Sequence, residues 1–311
     1  MLIIKTDEIT KTYKKTTTPA LSKVTLDVQS GEIFTLLGRN GAGKTTFIRI
    51  CATQLLPSSG SAEVLGYDVI TEPEKIRTRI SVVPQEGRPL RALTPWDHVY
   101  NWLRIRGMNK DESRERSEQV LQDFNLYNVR NIPAMNLSGG MKQKILVAMS
   151  MATDADLLFL DEPTIGLDPI SRRQIWKSIK QRNEDGKTVF LTTHYMDEAE
   201  SLADKIAIID NGVVVQTGTV RSLKEKIPEN VRIDISKNGV DKEILKTFGS
   251  VVDTGGNVFR VFTFQSRIPE LSHLALKQNL FFTISPITLD DAFIFLVGSE
   301  KEFDTESKAG Y

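Results

Sequence analysis

The sequence predicts an α/β fold over residues 1–222, built on a parallel sheet buried on both faces. A helical insertion at about 95–140 and a small α+β domain at 229–298 complete the expected architecture. Three observations carry this. Short apolar runs alternate with helical stretches up to about residue 222, the pattern of buried parallel strands joined by helices. From about Pro95 to Met135 the composition turns to charged helix with no strand candidate. Past Pro228 the period changes to strand, helix, strand, strand, helix, strand, the order of a ferredoxin-like unit.

The clearest strands are Glu32-Ile33-Phe34-Thr35-Leu36-Leu37, Ile80-Ser81-Val82-Val83, Leu157-Leu158-Phe159-Leu160 and Thr188-Val189-Phe190-Leu191-Thr192. Each is rich in β-branched or aromatic residues and ends in polar or turn residues. Functional groups are expected beyond their carboxyl ends, where open α/β sheets hold ligands. Ile206 to Asp210, Asn211-Gly212, and Val213 to Gln216 read as a two-residue hairpin, because Asn-Gly supplies the positive φ angles of a type I′ turn. In the second domain the expected order is strand 231–236, helix 241–248, strand 250–253, the Gly255-Gly256-Asn257 turn, strand 258–264, helix 268–278 and strand 281–285. Residues 299–311 read as a frayed tail. The Asp111 to Glu118 charge run reads as a solvated helix face.

Composition narrows the function classes. The chain has 311 residues, 40% hydrophobic and 26% charged, enough for about two domains of roughly 150 residues each. Forty basic residues balance forty acidic ones, so no net field draws the chain to nucleic acid or acidic lipid, and no nucleic-acid partner is expected. The single cysteine, Cys51, excludes an intrachain disulfide and suits the cytosol; on an apolar helix face it reads as a small buried hydrophobe. Met1-Leu2-Ile3-Ile4 meets Lys5 too soon for a signal-peptide core, and no apolar run approaches the roughly 18 residues that span a bilayer.

Gly38-Arg39-Asn40-Gly41-Ala42-Gly43-Lys44-Thr45 fits the phosphate-loop pattern G-x-x-x-x-G-K-[ST], between an apolar strand and a helix carrying Phe47, Ile50, Cys51 and Leu55. Its glycines let backbone N–H groups turn inward around a β-phosphate, and the helix it opens, entered through Thr46, presents a positive dipole end to an anion. Lys44 supplies a point charge for β- and γ-phosphates, and Thr45 a hydroxyl for Mg²⁺. The apolar strand 157–160 delivers two acids: Asp161, a carboxylate for the surroundings of Mg²⁺, and Glu162, a candidate base for an attacking water.

Leu137-Ser138-Gly139-Gly140-Met141-Lys142-Gln143-Lys144, between the phosphate loop and Asp161-Glu162-Pro163, resembles the signature of the ATP-binding-cassette (ABC) ATPases. Gln85 after Val82-Val83-Pro84 resembles that family's Q-loop, Gly166-Leu167-Asp168-Pro169 its D-loop, His194 its switch histidine and Tyr13 the aromatic that stacks on adenine. The six elements run in order from residue 13 to 194 and cover the whole first domain.

The resemblance implies ATP and Mg²⁺ as cofactors. Gln85 would sense the metal beside Thr45 and Asp161, and His194 would sit by the γ-phosphate. Ser138, Gly139 and Gly140 would serve the ATP of a second subunit, in a head-to-tail homodimer burying two nucleotides. Read without that context, His194 is an ordinary strand-end histidine, Gln85 a surface glutamine and Tyr13 an exposed aromatic; His98 and His273 read as ordinary. Met141 departs from the family's usual glutamine and removes an amide's polar contact at that position.

Asn40-Gly41-Ala42, the single cassette, the absent spans and a small C-terminal domain ending in Leu289-Asp290-Asp291-Ala292-Phe293 resemble the separate ATPase subunits of ABC-2 or drug-resistance exporters. The resemblance implies an ATP-hydrolysing transport subunit, peripheral on the inner face of the cell membrane, that drives separate polytopic permease subunits. An importer subunit shares every cassette motif. A soluble ABC protein acting on DNA or ribosomes would show a long coiled-coil insert or two cassettes, and a phosphate-loop kinase or switch protein would not need Ser138-Gly139-Gly140. Trp96, Val99 and Trp102, spaced by three within 88–103, read either as a dock for a permease helix or as the subdomain's own core.

Overall fold

Every residue of the strands Ile33–Leu37, Leu157–Asp161 and Thr188–Thr193 is buried. Strands without a solvated face fit only inside a sheet covered on both sides. They lie in a six-stranded sheet with the order Val213–Gly218, Lys205–Asp210, Ile33–Leu37, Thr188–Thr193, Leu157–Asp161, Ile80–Val83. From Lys205–Asp210 to Ile80–Val83 each neighbouring pair is parallel. The register sets Leu37 beside Thr193, Thr192 beside Asp161, and Leu160 beside Val83. Four strands from distant parts of the sequence therefore end together, and the loops leaving them share one edge.

This computed structural model describes residues 1–14 and 16–298; the tail expected at 299–311 lies outside the described residues. The chain divides into two units, Met1–Thr217 and the part from Gly218 onward. The boundary expected near 222 thus falls at 217–218, because the helix Val220–Lys224 buries Leu223 within the second unit and packs against the helix Leu289–Val297.

In the first unit Phe190 stacks on Phe34 at 5.5 Å and on Phe47 at 5.4 Å, and meets Phe159 at 5.7 Å. This cluster fixes the helix Lys44–Cys51, which carries Phe47, onto the sheet. Cys51 is fully buried beside it, and burial raises its thiol pKa. A second, antiparallel sheet runs Leu21–Gln29, Leu2–Lys11, Ser59–Val64, Tyr67–Asp68. The residue pattern does not set it apart from the parallel sheet, because irregularities in register interrupt the alternation of Leu2–Lys11.

The insertion holds the helices Pro95–Ile105 and Lys110–Asp123. Thr94 and Asp97 form a reciprocal capping box at the start of the first. The charged face of the second is solvated, while Ser113 and Ser117 turn inward and bond carbonyls one turn back. Val99 and Leu103 are fully buried, and Trp96 packs against the same core while stacking on Tyr100. Val99 is therefore core rather than a free docking residue. His98 is an ordinary structural histidine, as expected: its Nε2 accepts from the Leu90 amide and its Nδ1 lies 2.7 Å from the Thr94 carbonyl, which pins the exposed stretch around Leu90.

The second unit places its strands in the order Ser250–Asp253, Val258–Thr263, Val231–Ser236, Phe282–Pro286, with every pairing antiparallel. Helices Lys242–Lys246 and Ile268–Lys277 bury Leu245, Leu271 and Ala275 with Ile233, Ile235, Val251 and Val261 from the sheet.

Candidate active site

The loop after Ile33–Leu37 leads into the helix Lys44–Cys51 through Gly43 at φ 106°. A Cβ at Gly43 would sit 2.5 Å from the Ala20 carbonyl oxygen, and one at Gly38 2.4 Å from that of Ile209. Only glycine fits either position: Gly38 for steric reasons, Gly43 for its left-handed backbone as well. Lys44 is buried; its Nζ donates to the carbonyls of Gly38 at 2.8 Å and Arg39 at 3.1 Å and lies 3.0 Å from Glu162 Oε1. The ammonium is thus held at the mouth of a helix N-terminus, where backbone dipole and side-chain charge both favour an anion.

Asp161 closes its strand and is buried, with Oδ1 accepting from Thr192 Oγ1 at 2.6 Å. Burial raises its pKa, opposed by the hydroxyls of Thr192 and Thr45; the Glu162 charge adds to the rise and Lys44 counters it. Glu162 follows at φ 48°. Its amide donates to both the carbonyl and the hydroxyl of Thr192, each at 3.1 Å, so the turn is held against the neighbouring strand. Its second oxygen, Oε2, lies 3.0 Å from His194 Nδ1. Glu162 therefore spans Lys44 and His194, one oxygen to each.

Gln85 leaves the strand Ile80–Val83 and accepts through Oε1 from Thr45 Oγ1 at 3.0 Å. A hydroxyl, an amide oxygen and the Asp161 carboxylate form an all-oxygen donor set, which suits a hard cation such as Mg²⁺ that keeps waters and phosphate oxygens as its remaining ligands. No group of three or more His, Cys, Asp or Glu able to hold a metal occurs among the described residues. Tyr13 reaches the same loop: its hydroxyl is 3.2 Å from Thr46 Oγ1, the residue is 38% exposed, and Lys11 Nζ lies over its ring at 5.7 Å. Asn40, Gly41, Gly43, Lys44, Thr45, Thr46, Gln85 and Glu162 line one cleft of about 300 Å³, with Ala20, Arg49 and Glu86, which the sequence reading did not single out.

Ser138, Gly139, Gly140 and Asp168 do not line that cleft. Ser138 caps the helix Gly139–Met151, its hydroxyl accepting from the Met141 amide at 3.2 Å. Gly140 faces Leu167 closely enough that a Cβ there would come within 3.3 Å. Asp168 caps the helix Pro169–Glu184 by accepting from the amides of Ile170 and Ser171, and its hydrogen bonds to Ser171 lower its pKa. Gln143 Nε2 donates to the Pro163 carbonyl at 3.1 Å and so ties the Ser138 helix to the turn after Glu162.

Residues 21–165 match the profile of the ABC transporter family. Over 228 residues, 73% of this chain and 68% of the other, the sequence is 42% identical to the daunorubicin/doxorubicin resistance ATP-binding protein of Streptomyces peucetius. The chain belongs to the ABC transporter family. Its ABC cassette is an ATPase, and ATP is the ligand. The likeness reaches the second unit as well: the daunorubicin resistance ATP-binding protein of Streptomyces coeruleorubidus is 32% identical over 293 residues, 91% of this chain and 92% of that one. A 37% identical match to human ATP-binding cassette sub-family A member 2 covers 76% of this chain but only 10% of that protein. Among solved structures, an ABC cassette described as dimeric and post-hydrolysis, bound to ADP and Pi, superposes with a TM-score of 0.65 at 28% identity, over 70% of this chain and 98% of that one.

Two further residues of this ABC cassette stand close to the cleft's chemistry and were missed. Thr192 holds both Asp161 and the Glu162 amide; the only sequence signal is the hydroxyl pair Thr192-Thr193 that ends the strand Thr188–Thr193. Glu198, fully buried on the helix Met196–Leu202, gave no signal among the surface acids around it.

Proposed function

We propose that two copies of this cassette close head-to-tail around two MgATP and that hydrolysis reopens them, driving separate membrane subunits that export a drug-like substrate. One observation supports the paired arrangement above others. The Ser138 helix N-terminus, a second anion-binding feature, lies outside the cleft lined by Lys44, so its natural ligand is the nucleotide of another copy.

Lys44 Nζ binds the β- and γ-phosphates, and the exposed Tyr13 stacks on adenine. Thr45, Gln85 and Asp161 hold Mg²⁺, which when bound neutralises charge on the phosphate oxygens. Glu162 takes a proton from the attacking water as its oxygen bonds to the γ-phosphorus and ADP departs. His194, fixed by Glu162, orients that carboxylate and meets the γ-phosphate; Asp168 and Ser138 complete the partner's site. Export is supported by the resistance proteins matched, one of them over 91% of this chain. No helix among the described residues is long and apolar enough to cross a membrane, which fits a cassette that works peripherally, on the inner membrane face, with separate permease chains.

Light scattering of Glu162→Gln with and without MgATP tests the arrangement. A dimer that forms with ATP and is lost in Ser138→Arg, which still binds ATP, is the expected result. A protein that stays monomeric at saturating ATP and tens of micromolar chain would overturn the composite site.

A further inference from the structure

Glu198 is a fully buried carboxylate that the hydrolytic scheme does not use. Its Oε1 accepts two hydrogen bonds, from Thr164 Oγ1 at 2.8 Å and from Trp176 Nε1 at 2.9 Å. Its Oε2 is shielded from solvent and meets no donor in good hydrogen-bond geometry, while the Thr193 hydroxyl, next to His194 in sequence, bears on the same carboxylate and opposes the rise in pKa that burial causes. A carboxylate buried this fully is costly even with donors around it, and a native structure that retains one calls for a reason beyond packing.

The partners supply that reason. Thr164 lies two residues past Glu162, and Glu198 four residues past His194. Trp176 stands on the helix that Asp168 caps. The three segments that carry Glu162, Asp168 and His194 therefore converge on one oxygen atom. The first and third also meet at the reacting end, where Glu162 Oε2 is 3.0 Å from His194 Nδ1. Together these contacts close a ring: Glu162 to Thr164 along the chain, across to Glu198, back along the chain to His194, and across to Glu162. The helix itself is braced from outside, since Arg172 pairs with Asp197 at 2.9 Å and lies over the Tyr195 ring at 4.4 Å.

We propose that Glu198 is a positioning residue: by fastening the segment after His194 to the segment after Glu162 and to the Trp176 helix, it keeps His194 in register with the Glu162 carboxylate. The inference rests on the hydrolytic reading of Glu162 and His194 given above. Glu198 acts through geometry, so binding of ATP at Lys44 does not depend on it, whereas turnover does.

The consequences separate positioning from mere stability. Glu198→Ala should lower kcat for ATP by about tenfold or more, with KM and equilibrium ATP affinity held within about twofold. Thr164→Val and Trp176→Phe, each removing one donor, should give smaller losses of the same kind. Glu198→Gln keeps an acceptor oxygen for both donors and should restore most of the turnover. The deciding measurement is a double-mutant cycle with His194→Ala, read as phosphate release from labelled ATP at high enzyme concentration so that slow variants remain measurable. If Glu198 acts through His194, adding Glu198→Ala to His194→Ala should cost nothing more. Equal fold losses in both backgrounds, or a Glu198→Ala protein with parental kcat, would overturn the positioning role. Parental turnover in His194→Ala alone would instead overturn the site reading. If Glu198→Ala does not fold, the same cycle is run with Thr164→Val, whose loss is one hydroxyl.

Discussion

Lys44 and Glu162 form a buried ion pair, Nζ to Oε1 at 3.0 Å, with each side chain only 4% exposed. The pair joins the phosphate loop to the end of the strand Leu157–Asp161, two elements far apart in sequence that the sheet brings together. A phosphate approaching Lys44 competes with Glu162 for the same ammonium. The ammonium proposed to bind the nucleotide is thereby linked to the carboxylate proposed to activate water.

Glu162→Gln removes the base and also the competing charge. Turnover should fall by roughly 10²–10⁴-fold, the usual worth of a positioned general base, while ATP affinity holds or rises. Phosphate release and equilibrium nucleotide binding on the same preparation check both halves; parental turnover would rule out Glu162 as the base.

Lys44→Ala should lose nucleotide affinity and stability together, because it strands a buried carboxylate. Breaking one side of a buried pair costs about 3–5 kcal/mol. The double substitution Lys44→Ala with Glu162→Gln should regain much of the lost melting temperature without regaining ATP binding. A single variant that melts like the parent would show that the pair is not held in solution.

The Asp161 carboxyl, raised from its ordinary 3.8 mainly by burial, predicts a pH signature. The folded state holds this proton more tightly than the unfolded one, so the contribution of Asp161 to stability is present at low pH and is lost as pH rises through the interval above 3.8. Asp161→Asn carries no such charge. Without nucleotide or metal, its melting temperature relative to the parent should climb as pH goes from about 4 to neutrality; a constant difference would show that the carboxylate is not penalised by its surroundings.

Within residues 88–103, exposed positions open to the proposed dock and core positions separate by burial. Leu90 is 66% exposed, whereas Leu103 is fully buried. Leu90→Glu should leave the melting temperature nearly unchanged, as exposed substitutions do, yet reduce membrane recruitment by the permease. Leu103→Ala should cost about 2–5 kcal/mol. Sedimentation with permease-containing membranes, alongside thermal melts, distinguishes them; recruitment unaffected by Leu90→Glu would move the dock elsewhere.

The sequence by itself determined the strands of the central sheet and which polar and charged residues stand at their ends. Runs such as Leu157 to Leu160 have no polar face to hide, and a phosphate loop needs glycines where side chains would collide, as Gly38 and Gly43 show. Those are local constraints, written in residue type and spacing, and the Asn211-Gly212 turn, with φ 46° and 77°, is another. What the sequence left open was everything set by contact between distant segments. Trp96, Val99 and Trp102 share a spacing compatible with dock or core, and only packing placed Val99 inside. The antiparallel sheet around Leu2–Lys11 escaped because its irregular register blurs the period of two. Thr192 and Glu198 look like any hydroxyl and any acid until the fold sets one against Asp161 and the other between Thr164 and Trp176. A side chain's role there depends on the dielectric and partners that neighbouring strands and helices provide, and the tertiary structure alone supplies both.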